Sequence, residues 1–106
     1  MASQSEVEIK SRLEEAFVSL DDYDPSDSEI RAMADKVVDG FSKFIRRGET
    51  PLLLKKTDDV LAAYRRSFAG NPLFLAKVEK IAPSIKEGIL NKGHDLQLEL
   101  EGRSHY

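Results

Sequence analysis

The sequence lacks most of the features that would identify a chemical activity. It has no cysteine among its 106 residues, which excludes disulfides and thiolate chemistry and is typical of a reducing cytosol. No apolar run approaches the roughly 20 residues that a membrane-spanning helix needs. The N-terminus shows neither the basic nor the apolar region of a secretory signal. Together with the short length, these absences predict a soluble, cytoplasmic protein of one domain.

Catalytic and metal-binding groups are equally scarce. The two histidines, His94 and His105, lie near or in the C-terminal tail. His94 and the next aspartate could be two ligands of a metal ion, but the sequence shows no second pair of ligands to complete such a site. An acidic run from residue 22 begins like a calcium loop, but Asp27 stands where glycine is required and Met33 where the bidentate glutamate belongs. There is no glycine-rich phosphate loop. The sequence therefore predicts a protein that is not an enzyme, with no metal and no cofactor.

Charge is distributed unevenly along the chain. Residues 1–40 hold eleven acids and four bases, a net charge of −7, whereas residues 41–94 hold eleven bases and five acids, a net charge of +6. This asymmetry indicates either an interaction face or two halves that attract each other within one domain. The overall charge of −3 and the absence of a helix-turn-helix spacing count against nucleic-acid binding by the basic segment.

Apolar residues recur at spacings of three and four in four segments, the pattern of amphipathic helices. Short connections between the segments predict an all-α protein, an antiparallel four-helix bundle over residues 1–94. The four stripes comprise Ile9, Leu13, Ala16, Phe17 and Leu20; Ile30, Met33, Ala34, Val37, Val38, Phe41, Phe44 and Ile45; Leu53, Leu54, Val60, Leu61, Tyr64 and Phe68; and Leu73, Phe74, Val78, Ile81, Ile85 and Ile89.

Helix boundaries can be predicted from capping residues and proline. Ser5 and Glu8 form a capping box for the first helix, and either Asp24 or Ser26 caps the second. The second stripe is unbroken as far as Ile45 and ends at an Arg-Arg-Gly sequence.

The third helix should begin with Thr50 as its cap and Pro51 as its first residue, with Thr57 as a second start after a kink. The turn at residues 70–72 opens the fourth helix, which Pro83 should bend or split.

The C-terminal segment, residues 95–106, has a different pattern. Leu96, Leu98 and Leu100 alternate with polar residues, as in a strand, but no other segment could pair with them. Three alternatives remain open: a mobile tail, a helix with Leu96 and Leu100 one turn apart, or a segment that pairs with another chain. In each case we expect the tail to be dispensable for folding and to matter for recognition.

The stretch RGETPLLLKK, residues 47–56, followed by Leu61 and Tyr64, resembles the junction between the second and third helices of bacteriocin immunity proteins. The resemblance covers roughly residues 44–81 and is to the pediocin-like (class IIa) family of the enterocin A immunity type. It implies a four-helix bundle with a C-terminal extension.

It also implies a cytosolic protein that protects its host from a pore-forming peptide without turnover, by binding the sugar permease that serves as the peptide's membrane receptor. The C-terminal half of such proteins recognises which peptide is countered, which points here to Asn71, Leu96, Leu98 and Leu100.

Three consecutive leucines follow Pro51, and a helix can bury only part of them. Leu52 lies about 100° from Leu53 around the helix, which predicts that it stays near the surface. Its neighbours there would be Arg46, Arg47, Lys55 and Lys56. Such a basic rim around a leucine suits contact with another protein or with the inner face of the cell membrane, although packing of Leu52 against a neighbouring helix is the alternative. The alternative function is a small helical adaptor or regulator that binds another protein or nucleic acid.

Overall fold

The computed structural model describes the backbone of residues 3–104 and the side chains of residues 3–97. This part of the chain contains helices and no strands, and the helices pack around a shared apolar core. The predicted all-α bundle is confirmed. The helices are α1 (Gln4–Val18), α2 (Asp27–Gly40), α3 (Ser42–Arg46), α4 (Thr50–Ser67) and α5 (Pro72–Ser104).

Contacts between side chains give the directions of α1 and α4. Lys56 pairs with Glu6 at 3.4 Å near the start of both helices, and the rings of Phe17 and Tyr64 meet at 5.3 Å near their ends. These two helices are therefore parallel neighbours, although they are not consecutive long helices in the chain.

The same reasoning applies to α5. Its Lys80 pairs with Asp27 at the start of α2 and its Lys92 with Asp39 near the end, so α2 and α5 are also parallel. Against α4 the order is reversed, because Glu79 pairs with Arg65 and Lys86 with Asp58. Each long helix thus runs antiparallel to the preceding long helix, as predicted. The main packing partners are not consecutive, however, because α1 packs mainly on α4 and α2 mainly on α5.

The core consists of most of the predicted stripe residues. Phe41 and Phe44 are 0% and 1% exposed, and they meet edge to face. Two predictions are wrong: Leu73 is 79% exposed and Phe68 is 37% exposed. Leu73 lies in the first turn of α5, where the next residue, Phe74, takes the inward position and packs on Phe68 at a ring distance of 4.9 Å.

Two of the predicted caps are also wrong. Helix α1 begins earlier than expected because Ser3 accepts the hydrogen bond of the Glu6 N–H. Ser5 is then inside the helix, and its hydroxyl donates to Glu49 at 3.4 Å. At α4, Glu49 occupies the N-cap position and Thr50 is the first helical residue, so no side chain caps this helix.

The second predicted helix is divided in the structure. Ser26 and Glu29 form the complete capping box of α2, as one of the two predicted alternatives had it. The helix stops at Gly40, and α3 restarts after Phe41, whose φ and ψ of −94° and 2° leave the helical region. Glycine lowers helix stability, and the Ser42 hydroxyl donates to the Asp39 carbonyl at the break.

Two predicted interruptions do not occur. Thr57 is buried within α4, where its hydroxyl donates to the Leu53 carbonyl at 2.8 Å, so it does not start a new helix. Pro83 lies inside α5 on an exposed position and does not divide the helix. Helix α5 also continues through residues 95–104, so the helical alternative describes the tail over that range.

Candidate functional site

The corner between α3 and α4 is built by the stretch that carries the family resemblance. Gly48 has a φ of 80°, a left-handed conformation that favours glycine. Its N–H donates to the Ile45 carbonyl at 3.0 Å, and the Glu49 N–H donates to the Phe44 carbonyl at 2.9 Å. This pair of hydrogen bonds is a Schellman motif, which ends α3 and turns the chain into α4.

Four of the residues predicted as partner-binding lie on the helix ends that meet at or near this corner. Arg46 and Arg47 are exposed at the end of α3, and Leu52 is partly buried in the first turn of α4. The C-terminal part of helix α5 also lies beside this corner, because Gly93 faces Thr50 and Ile45. One turn later Leu96 packs partly against the core. We call Arg46, Arg47, Leu52 and Leu96 the corner surface.

The two arginines of the corner surface differ in their surroundings. The Arg47 guanidinium lies 6.0 Å from the centre of the Phe44 ring, within the range of a cation–π contact. The Arg46 side chain makes no ion pair or hydrogen bond with any residue that the structure describes. The corner surface therefore presents positive charge beside two half-covered leucines.

The two predicted lysines of α4 are already engaged. Lys56 pairs with Glu6 of α1, and only 17% of its side chain is exposed. Lys55 pairs with Asp59 one turn along the same helix at 3.2 Å, an exposed pair of the kind that solvent screens. These lysines contribute less free charge than their number in the sequence suggested.

The remaining predicted residues lie elsewhere. Asn71 is at the opposite end of the bundle, one length of α4 or about 27 Å away. There its side-chain oxygen accepts from the Phe74 N–H at 3.3 Å and caps α5. The side chains of Leu98 and Leu100 fall outside the described residues.

Ion pairs between helices account for much of the charge asymmetry. Lysines of the basic half bind carboxylates of the acidic half in the pairs Lys43–Glu8, Lys56–Glu6, Lys80–Asp27 and Lys92–Asp39. The hydrogen bond from Lys43 lowers the pKa of Glu8 below its usual value, and that from Lys80 does the same for Asp27. The alternative in which the two halves attract each other therefore describes this part of the chain.

A groove between α1 and α4 was not predicted from the sequence. Its volume is about 510 Å³, and it is lined by Val60 and Tyr64 of α4 and by Phe68, which follows that helix. The stripe pattern indicated that these residues face inward, but no sequence signal showed that α1 and α4 would be parallel neighbours. The groove follows from that pairing.

The same part of the chain lacks the features of two other functional classes. Among the described residues, no group of three or more histidine, aspartate or glutamate side chains could hold a metal ion. None of the described helices has both the length and the apolar composition of a membrane span. Comparison of the chain with models of protein families, with curated proteins and with solved structures finds no match in any of the three.

Proposed function

We propose that this chain is a cytosolic immunity protein that protects its host from a pore-forming, pediocin-like bacteriocin. The observation that supports the proposal is the α3–α4 corner. The stretch that resembles the family junction forms a tight Schellman turn at Gly48 and a helix opened by Pro51, with Leu53 fully buried below it. The stretch that carries the resemblance is thus a junction between two helices of a helical bundle, which is what the resemblance implies.

The proposed mechanism is binding without turnover. The corner surface offers the positive charge of Arg46, which pairs with no described residue, and apolar area at Leu52 and Leu96, a combination suited to an acidic and partly apolar partner surface. By resemblance the partner is the cytosolic side of the bacteriocin's receptor permease, at the inner face of the membrane. Occupation of that surface would block the lesion that the peptide causes.

Expression of the chain in a bacteriocin-sensitive host tests the proposal. The cells are challenged with a panel of pediocin-like peptides. For at least one peptide, cells that express the chain should survive doses that kill cells with an empty vector. Replacement of Arg46 and Arg47 by glutamate should remove this protection, because it reverses the charge of the corner surface.

A matched control is available at the other end of the bundle. Arg66 is exposed and has no partner among the described residues, so Arg66→Glu makes the same kind of charge change far from the corner. It should leave protection intact. The proposal is contradicted if cells that express the chain survive every peptide no better than cells with the empty vector. Salt-sensitive retention of the protein on duplex DNA would favour the nucleic-acid alternative instead.

A further inference from the structure

The groove between α1 and α4 has the dimensions of a small-molecule site. Its volume of about 510 Å³ falls within the range of roughly 300–1,000 Å³ that is usual for ligand pockets. Its floor is apolar, because Val60 is 4% exposed and Tyr64 is 8% exposed. Phe68, 37% exposed, also lines the groove and leaves part of its side chain open to solvent.

Tyr64 and Ser67 both contribute a hydroxyl-bearing side chain to the groove lining, and Tyr64 is the buried one of the two. The ring is held by Phe17 at 5.3 Å and Phe68 at 5.1 Å between ring centres, so its position is fixed by packing. The hydroxyl makes no hydrogen bond with any residue that the structure describes. Burial, and secondarily the charge of Glu14 across the groove, raises the pKa of Tyr64, so the hydroxyl keeps its proton at neutral pH.

The charges around the groove are balanced and already paired. Glu14 lies 3.8 Å from Lys10, and Lys56 and Asp59 bind partners at the groove edge. Two positive and two negative side chains therefore line the opening, so the groove has no excess charge that would favour a charged ligand. A neutral ligand avoids the desolvation penalty that an ion would suffer here.

We propose that this groove binds a small, neutral aromatic molecule that carries a hydrogen-bonding group. The aromatic ring packs on Phe68, and the polar atom meets the Tyr64 hydroxyl, which can donate or accept. This site is separate from the corner surface and does not depend on the proposed immunity function.

Indole is a suitable probe, since its N–H can donate to the Tyr64 oxygen. Titration of ¹⁵N-labelled protein should shift the amides of residues 10–14 and 60–68 most strongly. Tyr64→Phe removes only the hydroxyl and should weaken binding about 2- to 10-fold. Tyr23→Phe, which changes a tyrosine in the α1–α2 loop, serves as the control and should bind indole normally.

A second probe separates the hydrogen bond from packing. 1-Methylindole has no N–H, so it should bind the native protein more weakly than indole and lose nothing further with Tyr64→Phe. Phe68→Leu should weaken both probes, and helicity by circular dichroism checks that each variant folds. Indole shifts that map elsewhere, equal affinity in Tyr64→Phe, or no shifts at the solubility limit would each overturn the proposal.

Discussion

A Cβ atom placed on Gly88 would lie 2.8 Å from Cγ2 of Val38, closer than real Cβ contacts permit. The parallel helices α2 and α5 therefore cross at a point where only glycine fits without a shift. Val38 is 4% exposed and β-branched, so it cannot easily rotate away.

Gly88→Ala should therefore destabilise the protein. The overpacking cost of about 1–3 kcal/mol exceeds the gain of up to ~1 kcal/mol that alanine brings to a helix. Unfolding in urea measures the difference. Gly70→Ala, where the added methyl would meet nothing within 4 Å, is the matched control and should be nearly neutral.

The double variant Val38→Ala with Gly88→Ala tests the cause. If the two side chains collide, the loss should be smaller than the sum of the two single losses, since the shorter residue makes room for the new methyl. Additive losses would mean that the alanine at 88 acts through something other than Val38.

Truncation of the buried aromatic pair should be far more costly. Phe41→Ala or Phe44→Ala should each lower the free energy of unfolding by about 3–5 kcal/mol, because each side chain is fully enclosed. A domain of this size has only ~5–15 kcal/mol in total. Thermal melting followed by circular dichroism would detect the loss. Leu73→Ala, at a position 79% exposed, should melt within a few degrees of the native protein.

Acid should weaken the fold through its surface carboxylates. The hydrogen bond from Lys43 lowers the pKa of Glu8, that from Lys80 lowers the pKa of Asp27, and that from the Tyr23 hydroxyl lowers the pKa of Glu29. Each group ordinarily titrates at 4.5 for glutamate or 3.8 for aspartate, so the unfolded chain binds protons first as the pH falls.

Stability should therefore be at its full value at pH 7 and should fall progressively below about pH 5. Urea midpoints at pH 7, 5, 4 and 3 give the profile. In Glu8→Gln with Asp27→Asn, the loss on acidification should be smaller, because two of the groups no longer titrate. Glu87→Gln, an exposed residue without an ion pair in the described structure, should retain the native profile. A profile unchanged by the double variant would contradict this account.

The C-terminal end of α5 should divide into a structural and a dispensable part. Leu96 is partly buried against the core, so truncation after His94 should cost about 1–2 kcal/mol, a fraction of a fully buried leucine. Truncation after Gln97 should change the melting temperature little. If the proposed function holds, removal of residues 95–106 should also weaken protection against the cognate peptide. A native melting temperature for the shorter chain would show that Leu96 does not contribute to folding.

The sequence predicted helices better than it predicted their ends and neighbours. Stripe residues such as Ile9 and Ile89 follow from periodicity, which depends only on the geometry of a single helix. The exposure of Leu73 depends on how α5 lies against its neighbours, which no local pattern encodes. The break at Phe41 had a local signal in Gly40, but the apolar stripe continues across it. The sequence alone could not show whether Ser3 or Ser5 is the N-cap of α1, because serine is a good N-cap residue at either position.

The candidate site was predictable only in part for the same reason. Glycine at position 48 and proline at position 51 indicate a turn and a helix start from their backbone preferences alone. That Leu96 joins Arg46 at this corner required the path of α5, and that Tyr64 opens into a groove required the pairing of α1 with α4. Both depend on the arrangement of whole helices.

The pairing of α1 with α4 also has a consequence during protein synthesis. A chain leaves the ribosome from its N-terminus, and α1 with α2 alone lacks the helices on which each mainly packs. The apolar faces of α1 and α2 can be buried on their main partners only after residues 50–97 have emerged, because those partners lie about half the chain away in sequence. The first half of the nascent chain therefore exposes two apolar stripes whose main packing partners have not yet been made, the condition under which newly made chains are prone to aggregate.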